Sequence, residues 1–392
     1  MDKRKMRDGV YWLGAIDWKR RLFDSLIPLP DGTSYNAYLV EGTEKVALLD
    51  TVDPSMAATL LAQLAGISKI DYLISHHAEQ DHSGCLGPVL EKYPEAKVVS
   101  TPRAKDMLID LLHLPEDAFL TVVDGERLPL GGKTLHFVYT PWVHWPETMV
   151  TYLEEDRILF SCDFFGSHIA TSDLYVGDEG RVAEAAKRYF AEIMAPFRPQ
   201  IEKNLDKLAA YDIGIIAPSH GQVYDRPSFI VDLYREWVSG PPKNLVAIPY
   251  VSMHGSTEKM VEHLAAALVD SGVRVELFDL PVTDTGKLAM ALLDAGTLVV
   301  GVCTVLGGPH PLAAYAAFLA NALRPKARFL SIVGSYSWGG RAVETLTGMI
   351  PNLKVEILEP VLCKGLPREA DLQALDELAA TIAQKHREQE LD

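Results

Sequence analysis

Cysteine is scarce in this sequence, and the cysteines it has stand far apart. The chain of 392 residues contains four of them, Cys85, Cys162, Cys303 and Cys363. Because no two form a C-x-x-C pair, a disulfide framework, a rubredoxin-type iron site and a thioredoxin motif are all disfavoured. Isolated thiols of this kind are typical of a reducing cytoplasm.

Positive charge and long apolar runs are also in short supply. The chain has 37 Lys and Arg against 53 Asp and Glu, a formal net charge of -16. Since nucleic acids and anionic membranes repel an acidic protein, neither is expected as a general partner. The basic start MDKRKMRDGVYWLG has no apolar segment behind it, and no run reaches the roughly 18 apolar residues that span a bilayer. We therefore expect a cytoplasmic protein.

The length of the chain predicts two domains, because it exceeds the size of an ordinary single core. The segment SGPPKN at 239–244 clusters Gly, Pro and polar residues and is the best linker candidate. We accordingly predict one domain over 1–240 and a second over 245–392. In the first, short strands with turn signals continue to about residue 160, and helical patterns follow at about 181–210.

The second domain has a different pattern. Five short apolar runs alternate with helix-length amphipathic stretches: LVAIPY, VRVELFDL, TLVVGVC, ARFLSIVG and KVEILEP. Apolar strands that alternate with helices indicate a parallel sheet covered on both faces. Five strands in about 150 residues fit a doubly wound α/β fold of the flavodoxin-like kind.

One segment of the first domain concentrates possible metal ligands. DYLISHHAEQDHSG (71–84) runs from an apolar strand into a turn with the pattern H-x-E-x-D-H, formed by His77, Glu79, Asp81 and His82. Such a group converges only where a metal or dense ion pairing offsets its mutual repulsion. Taken alone, the pattern could also be a solvated loop.

Three further candidates stand in strand-end or turn contexts: His144 in PWVHWPET, Asp163 in FSCDFFG and His220 in APSHG. Each alone is more often a structural histidine or an ordinary turn residue. Together with the turn they supply four imidazoles and three carboxylates, enough for two metal ions that share a bridging carboxylate. The remaining histidines are interpreted as structural or surface residues: His76, His113, His136, His168, His254, His263, His310 and His386.

The first domain resembles the metallo-β-lactamase fold, an αββα sandwich whose hydrolases carry H-x-H-x-D-H. Here Glu79 replaces the second histidine of that motif. Zinc hydrolases favour imidazole or thiolate ligands. Additional hard carboxylate ligands suit an iron pair that alternates between oxidation states.

The motifs HAEQDH, HWPE, SCD and SHG resemble the di-iron signature of the flavodiiron proteins, and the flavodoxin-like half follows in that family's order. The resemblance covers nearly the whole chain. It implies that His77, Glu79 and His144 hold one iron, that Asp81, His82 and His220 hold the other, and that Asp163 bridges them. It nominates no catalytic residue apart from the metal ligands.

The loop SMHGSTEKM (252–260) follows the first strand of the second domain and opens a helix. Free backbone N–H groups at such a helix start attract phosphate, and the loop lacks the lysine of a nucleotide-hydrolysing P-loop. Two strand-end loops, TVLGGPHP and SYSWGG, should flank the flavin ring, although the first departs from the family's usual polar type. The cofactor-binding candidates for FMN are Ser252, Met253, His254, Gly255, Ser256, Thr257, Thr304, Val305, Leu306, Gly307, Ser335, Tyr336, Ser337, Trp338 and Gly339.

The resemblance implies an oxidoreductase that reduces O2 to water, NO to N2O, or both, at a di-iron site supplied with electrons by FMN. It also implies a head-to-tail homodimer, or a dimer of such dimers. Since the sequence has no C-x-x-C rubredoxin module, we expect an external electron donor, either a rubredoxin-like protein or reduced coenzyme F420.

Two other functions remain open from the sequence. The first is a zinc-dependent hydrolase of the metallo-β-lactamase type fused to a flavodoxin-like module. The second is an electron carrier or sensor whose metal site is structural, which the carboxylate-rich ligand set disfavours because structural sites are usually rich in cysteine.

Overall fold

The computed structural model describes residues 2–391, which divide into two compact units. One unit comprises the chain up to Phe190 together with Phe197–Val238. The other comprises Ala191–Pro196 together with Ser239 and the residues that follow it. No helix within residues 2–391 is long and apolar enough to cross a membrane.

The first unit is built from short strands and helices. Its strands are β1 (Arg4–Arg7), β2 (Val10–Asp17), β3 (Leu22–Phe23), β4 (Ile27–Pro28), β5 (Thr33–Glu41), β6 (Val46–Leu49), β7 (Tyr72–Ile74), β8 (Lys97–Ser100), β9 (Phe119–Thr121), β10 (Arg127–Pro129), β11 (Thr134–Tyr139), β12 (Met149–Leu153), β13 (Ile158–Cys162) and β14 (Ile215–Pro218). The α-helices up to residue 239 are α1 (Ala57–Gln63), α2 (Gln80–Ser83), α3 (Leu86–Lys92), α4 (Pro102–Leu112), α5 (Glu179–Tyr189), α6 (Arg198–Leu208) and α7 (Pro227–Ser239).

Most of these strands form two sheets. One has the order β1-β2-β5-β6-β7-β8-β9 and the other β10-β11-β12-β13-β14. Alternate side chains of a strand point to opposite faces of its sheet, and here both faces of the first sheet are buried. On β2, Trp12 packs between the sheets with Phe160, whereas Leu13 faces the helices with Leu60. The layers are those of the αββα sandwich.

The second unit contains a parallel sheet between helices. Its strands are β15 (Lys243–Tyr250), β16 (Arg274–Asp279), β17 (Ala295–Val305), β18 (Gly308–Pro309), β19 (Phe329–Tyr336), β20 (Glu356–Ile357) and β21 (Val361–Lys364). Its helices are α8 (Ser256–Asp270), α9 (Thr285–Asp294), α10 (Pro311–Leu323), α11 (Ala342–Gly348) and α12 (Glu369–Glu388).

The strand order of this sheet is β16-β15-β17-β19-β20, with β21 also paired to β19. Numbered along the sheet's own strands, this is the 2-1-3-4-5 order of flavodoxin-like folds, as the alternation of strands and helices predicts. The last run, KVEILEP, gives only the short β20 before Pro360, because proline offers no N–H to a ladder. The chain resumes its pairing in β21.

A buried histidine fixes the last helix of this unit. The His386 ring contacts the Thr297 hydroxyl at 2.7 Å and the Asn244 side-chain oxygen at 2.9 Å. Burial lowers the pKa of His386 to about 4. Since the ordinary value is near 6.5, the neutral ring stabilises the fold above that pH, and this contribution disappears as the pH falls towards 4.

We expect the free energy of unfolding to fall by up to about 3 kcal/mol between pH 6.5 and 4 on account of His386. Urea unfolding across this range, compared between the wild type and His386→Gln, isolates the contribution from that of the carboxyl groups. The variant should show the shallower pH dependence. Equal slopes would contradict the assignment.

Candidate metal centre

The predicted metal ligands lie in the first unit, either beyond strand ends or, for Asp81 and His82, in the short helix α2 that follows β7. His77 follows β7, and the next turn carries Glu79 into α2. His144 lies between β11 and β12, Asp163 directly follows β13, and His220 comes two residues after β14. The sandwich therefore brings residues distant in sequence to one edge, where their side chains meet.

One oxygen of Asp163 faces the first predicted set of ligands. Its Oδ2 is 3.5 Å from His77 Nε2 and 3.3 Å from His144 Nε2. Glu79 Oε2 lies 3.1 Å and 3.2 Å from the same two ring nitrogens. These four side chains can enclose one cation.

The other oxygen of Asp163 faces the second set. Its Oδ1 is 2.9 Å from His82 Nε2 and 3.5 Å from His220 Nε2. Asp81 adds both of its oxygens, with Oδ2 3.0 Å from His220 Nε2 and Oδ1 3.4 Å from His82 Nε2. Asp163 thus lies between two ligand clusters and presents one oxygen to each.

Several buried atoms of this centre have no partner in hydrogen-bonding geometry. Among residues 2–391, they include both carboxylate oxygens of Asp81 and Asp163 and both ring nitrogens of His82. Buried polar atoms normally have a partner, and a metal ion enclosed by each cluster would supply one. A mixed set of carboxylates and imidazoles suits iron. The residues therefore fit a pair of iron ions.

The charges in the centre depend on one another. Burial disfavours an ionised Glu79, but hydrogen bonds and charge from His144 and His77 outweigh it and lower the pKa of the carboxyl. Burial likewise disfavours a charged His82, yet Asp163 and Asp81 raise the pKa of its ring to about 10. Positive charge on the His82 ring thus balances the carboxylate charge beside it, and a metal ion bound there would take the place of its proton.

A buried carboxylate holds the backbone around the ligands. Asp50 accepts hydrogen bonds from the His76 N–H at 2.9 Å and from the Ser219 hydroxyl at 3.1 Å, and its Oδ2 is 2.7 Å from His76 Nδ1. His76 and Ser219 each directly precede a ligand histidine. The neighbouring Thr51 donates its N–H and its hydroxyl to the carbonyl of His82. His76, which the sequence gives no reason to separate from other structural histidines, therefore supports the centre without facing it.

Sequence reasoning also missed the residues that cover His220. The ring of His168 lies 4.7 Å from that of His220, and Tyr189 packs on both rings. Burial and the nearby His220 hold the pKa of His168 well below its usual range, so its ring is neutral. Thr33 contacts His168 Nδ1 at 2.9 Å. No pattern in the sequence marks this position.

The predicted phosphate loop lies between β15 and α8. Gly255, at φ +81°, occupies the N-cap position of α8. Because glycine has no side chain to accept a hydrogen bond, no capping side chain bonds to the first N–H groups of the helix. Ser252 Oγ is buried without a hydrogen-bond partner, whereas the Thr257 hydroxyl donates to Val302 O at 3.3 Å. Met253 is half exposed and His254 exposed. The groups of the loop that are available to an anion are therefore the backbone N–H groups and Ser252, with Ser256 at the helix start.

The other two predicted loops lie beside each other. The 304–309 segment is a hairpin in which Thr304 and Val305 of β17 pair with β18, and Leu306 and Gly307 form the turn at φ +51° and +78°. The loop after β19 approaches it so closely that a Cβ on Gly340 would lie 2.8 Å from Thr304 Cγ2.

A cavity of about 410 Å³ opens between these loops. Of the predicted flavin neighbours it is lined by Thr304, Ser335, Tyr336 and Gly339. Ser337 is exposed beside it, and Leu306 and Trp338 are exposed at 97% and 79%. Gly340, the last residue of SYSWGG, and Arg341, the residue after that loop, also line the cavity, although neither is among the predicted cofactor-binding residues.

Comparison with known proteins covers both units. Residues 33–221 match the family described as ODP family beta lactamase, and residues 248–377 match Flavodoxin. The chain is 37% identical to a nitric oxide reductase of Moorella thermoacetica over 96% of this chain and 97% of the relative.

Two solved structures have the same fold. The rubredoxin oxygen:oxidoreductase of Desulfovibrio gigas superposes with a TM-score of 0.95 at 32% identity, covering 98% of this chain and 99% of that one. A flavodiiron protein from Giardia intestinalis gives a TM-score of 0.89 at 27% identity, covering 98% of each chain. With its sandwich, its flavodoxin-like sheet and these relatives, the chain belongs to the flavodiiron protein family.

Proposed function

We propose that this protein reduces O2 to water, NO to N2O, or both, at two iron ions held by the metal centre, with FMN passing electrons to them. The observation that carries the proposal is the position of Asp163, whose two oxygens face two separate ligand clusters. A structural site or a single ion would not need a buried carboxylate shared in this way.

In this proposal His77, Glu79 and His144 hold one iron and Asp81, His82 and His220 hold the other, with Asp163 shared. When bound, the iron pair supplies a place for a diatomic molecule to bind and electrons to reduce it. Reduction of O2 to two waters takes four electrons and four protons, and reduction of two NO to N2O and one water takes two of each. The names of the relatives, a nitric oxide reductase and a rubredoxin oxygen:oxidoreductase, cover both substrates.

The protein's own side chains set the electrostatics of this chemistry. Burial opposes ionisation of Asp163, but the charge and hydrogen bonds of the neighbouring histidines hold its pKa well below the usual range, so the ionised carboxylate favours positive charge at the enclosed positions. The packed rings of His168 and Tyr189 keep bulk water from His220. No side chain beyond the ligands is needed as a nucleophile.

The second unit would hold FMN. Its phosphate would lie at the start of α8, where Ser252 Oγ lacks a partner, and its ring in the cavity lined by Thr304 and Tyr336. The exposed Trp338 offers an aromatic surface for the ring. Electrons would reach the flavin from a rubredoxin-like protein or from reduced coenzyme F420.

A zinc hydrolase is not favoured. Glu79 places a carboxylate where the hydrolase motif has imidazole. The relatives that match this chain over nearly their whole length are named as a reductase and an oxidoreductase. Purified protein, replete with iron and FMN and supplied with a reduced rubredoxin, should consume O2 or NO in steady state. Hydrolysis of a lactam or thioester without any consumption of O2 or NO would overturn the proposal.

We further propose a head-to-tail homodimer, or a dimer of such dimers, in which the flavin of one subunit serves the irons of the other. The prediction uses two inactive variants. Asp163→Asn removes the shared carboxylate, and Ser256→Asp places a negative charge where the phosphate would bind while suiting the helix start.

Purified mixed dimers of the two variants should regain activity, because one intact FMN then faces one intact iron site. Roughly half of the wild-type rate per dimer is expected, since one of the two pairings works. Each variant alone is the control and should stay inactive. Inactive mixed dimers that retain two irons and one FMN would contradict transfer between subunits.

A further inference from the structure

In three of the predicted ligand histidines, the nitrogen that faces away from the ligand cluster, Nδ1, has a different environment. His220 Nδ1 donates to the carbonyl oxygen of Ser34 at 2.8 Å. His82 Nδ1 is buried and has no partner in hydrogen-bonding geometry among the residues described. His77 alone of these three has a carboxylate behind it: its Nδ1 is 2.7 Å from Glu147 Oε1.

The pair formed by His77 and Glu147 is fully enclosed, with both side chains at 0% exposure. Glu147 Oε1 also accepts the N–H of Ala78 at 3.0 Å, so this oxygen is an acceptor and the His77 proton lies on Nδ1. His77 Nε2 faces Glu79 and Asp163, so it is the nitrogen whose lone pair would bind a metal ion held by those carboxylates. The other oxygen of Glu147 has no hydrogen-bond partner. The hydrogen bonds from His77 and from the N–H of Ala78 therefore stabilise the negative charge of this carboxylate.

A carboxylate that accepts the proton of a ligand imidazole makes that imidazole a stronger electron donor and fixes its orientation. A carbonyl dipole, as behind His220, does so less, because it carries no net charge. The two halves of the centre therefore differ. In the half that faces Asp163 Oδ2, one ligand imidazole is hydrogen-bonded to a carboxylate, whereas in the other half neither His82 nor His220 has a carboxylate from residues 2–391 at its Nδ1.

We propose that Glu147 is a positioning residue that makes the two irons unequal, by stabilising the ferric state of the iron held by His77, Glu79 and His144. This inference rests on the proposed di-iron function. It assigns the lower of two reduction potentials to that iron, so that in the half-reduced pair the ferric ion lies on the Oδ2 side of Asp163. The iron on the Oδ1 side is then reduced first.

The test is a redox titration of iron-loaded protein, followed by Mössbauer and electron paramagnetic resonance spectra. The wild type should show two separate one-electron steps. In Glu147→Gln, which keeps the size and an acceptor oxygen but removes the charge, the lower potential should rise by an amount equivalent to at least a tenfold change in equilibrium constant, about 59 mV. The upper potential should move less, and two irons per chain should remain.

Two further variants separate charge from packing. Glu147→Ala removes the acceptor as well and should weaken binding of one iron by about 10- to 100-fold. Asp376 forms a comparable carboxylate–histidine contact in the flavodoxin-like unit, with its Oδ1 2.7 Å from His263 Nε2. Asp376→Asn should leave both potentials unchanged.

Coincident potentials in wild-type protein that holds two irons would overturn the inference while leaving the proposed function intact. So would an unchanged lower potential in Glu147→Gln. If Glu147→Gln lost iron as Glu147→Ala does, Glu147 would be a packing residue only. A wild-type chain with fewer than two irons would instead overturn the proposed function itself, and the inference with it.

Discussion

Substitution of Asp163 by asparagine is expected to lower O2 and NO turnover by more than about 100-fold and to reduce iron from two ions per chain to one or none. The carboxylate presents Oδ2 to His77 and His144 and Oδ1 to His82. An amide has one oxygen and an NH2 group that cannot accept, so one of the two clusters would face a donor. The loss of one negative charge weakens both sites.

Iron per chain by elemental analysis and steady-state consumption of both gases measure this effect together. Asp173→Asn is the matched control, because Asp173 is an exposed acid only ten residues further along the chain. It should retain iron and activity. A fully iron-loaded, active Asp163→Asn protein would show that the centre does not depend on a shared carboxylate.

Substitution of Glu79 by histidine should have an effect of similar size, with iron-dependent turnover falling by more than about 100-fold. The change recreates H-x-H-x-D-H in a half that already contains two imidazoles, within 3.1–3.2 Å of the Glu79 carboxylate. It removes a hard anionic ligand and adds a neutral nitrogen, and both changes favour zinc over ferric iron. We expect zinc to replace iron in protein grown with both metals.

Glu79→Asp distinguishes the loss of charge from the loss of reach. It keeps the anion on a shorter side chain, so it should retain more iron than Glu79→His. The ratio of iron to zinc and the rate of NO consumption measure the difference. If Glu79→His kept iron and turned over within about threefold of the wild type, the choice of metal would not depend on this carboxylate.

The convergence of the metal ligands was predictable from sequence because each candidate stands just past a strand. Strand ends of a sandwich meet at one edge, so His144, Asp163 and His220 could be associated with the H-x-E-x-D-H turn from the sequence. The flavodoxin-like fold of the second unit was also predictable, since alternating strands and helices allow few arrangements. The distances that divide the ligands between the two oxygens of Asp163 needed the structure.

The residues that support the centre could not be predicted. Asp50 and His168 lie far along the chain from the groups they contact, and nothing in local spacing distinguishes them from an ordinary acid and an ordinary histidine. Glu147 stands in the HWPE motif, but its contact with His77, 70 residues away, does not follow from that motif. Their contacts arise from tertiary packing. The same is true of Thr257, which looks like a phosphate donor in the sequence but donates to the carbonyl of Val302 in the fold.

The two loops predicted to flank the flavin do follow strands, but their shapes were not foreseen. TVLGGP forms a hairpin because Leu306 and Gly307 adopt positive φ at its turn, and the fully exposed Leu306 side chain has no local reason to be apolar.

The central claim is that Asp163 is shared by two iron ions, and anomalous diffraction from crystals of anaerobically purified protein tests it most directly. Data collected on either side of the iron absorption edge should show two iron peaks, one at the Oδ2 side with His77, Glu79 and His144 and one at the Oδ1 side with Asp81, His82 and His220. A single peak, or peaks that appear only at the zinc edge, would contradict the account.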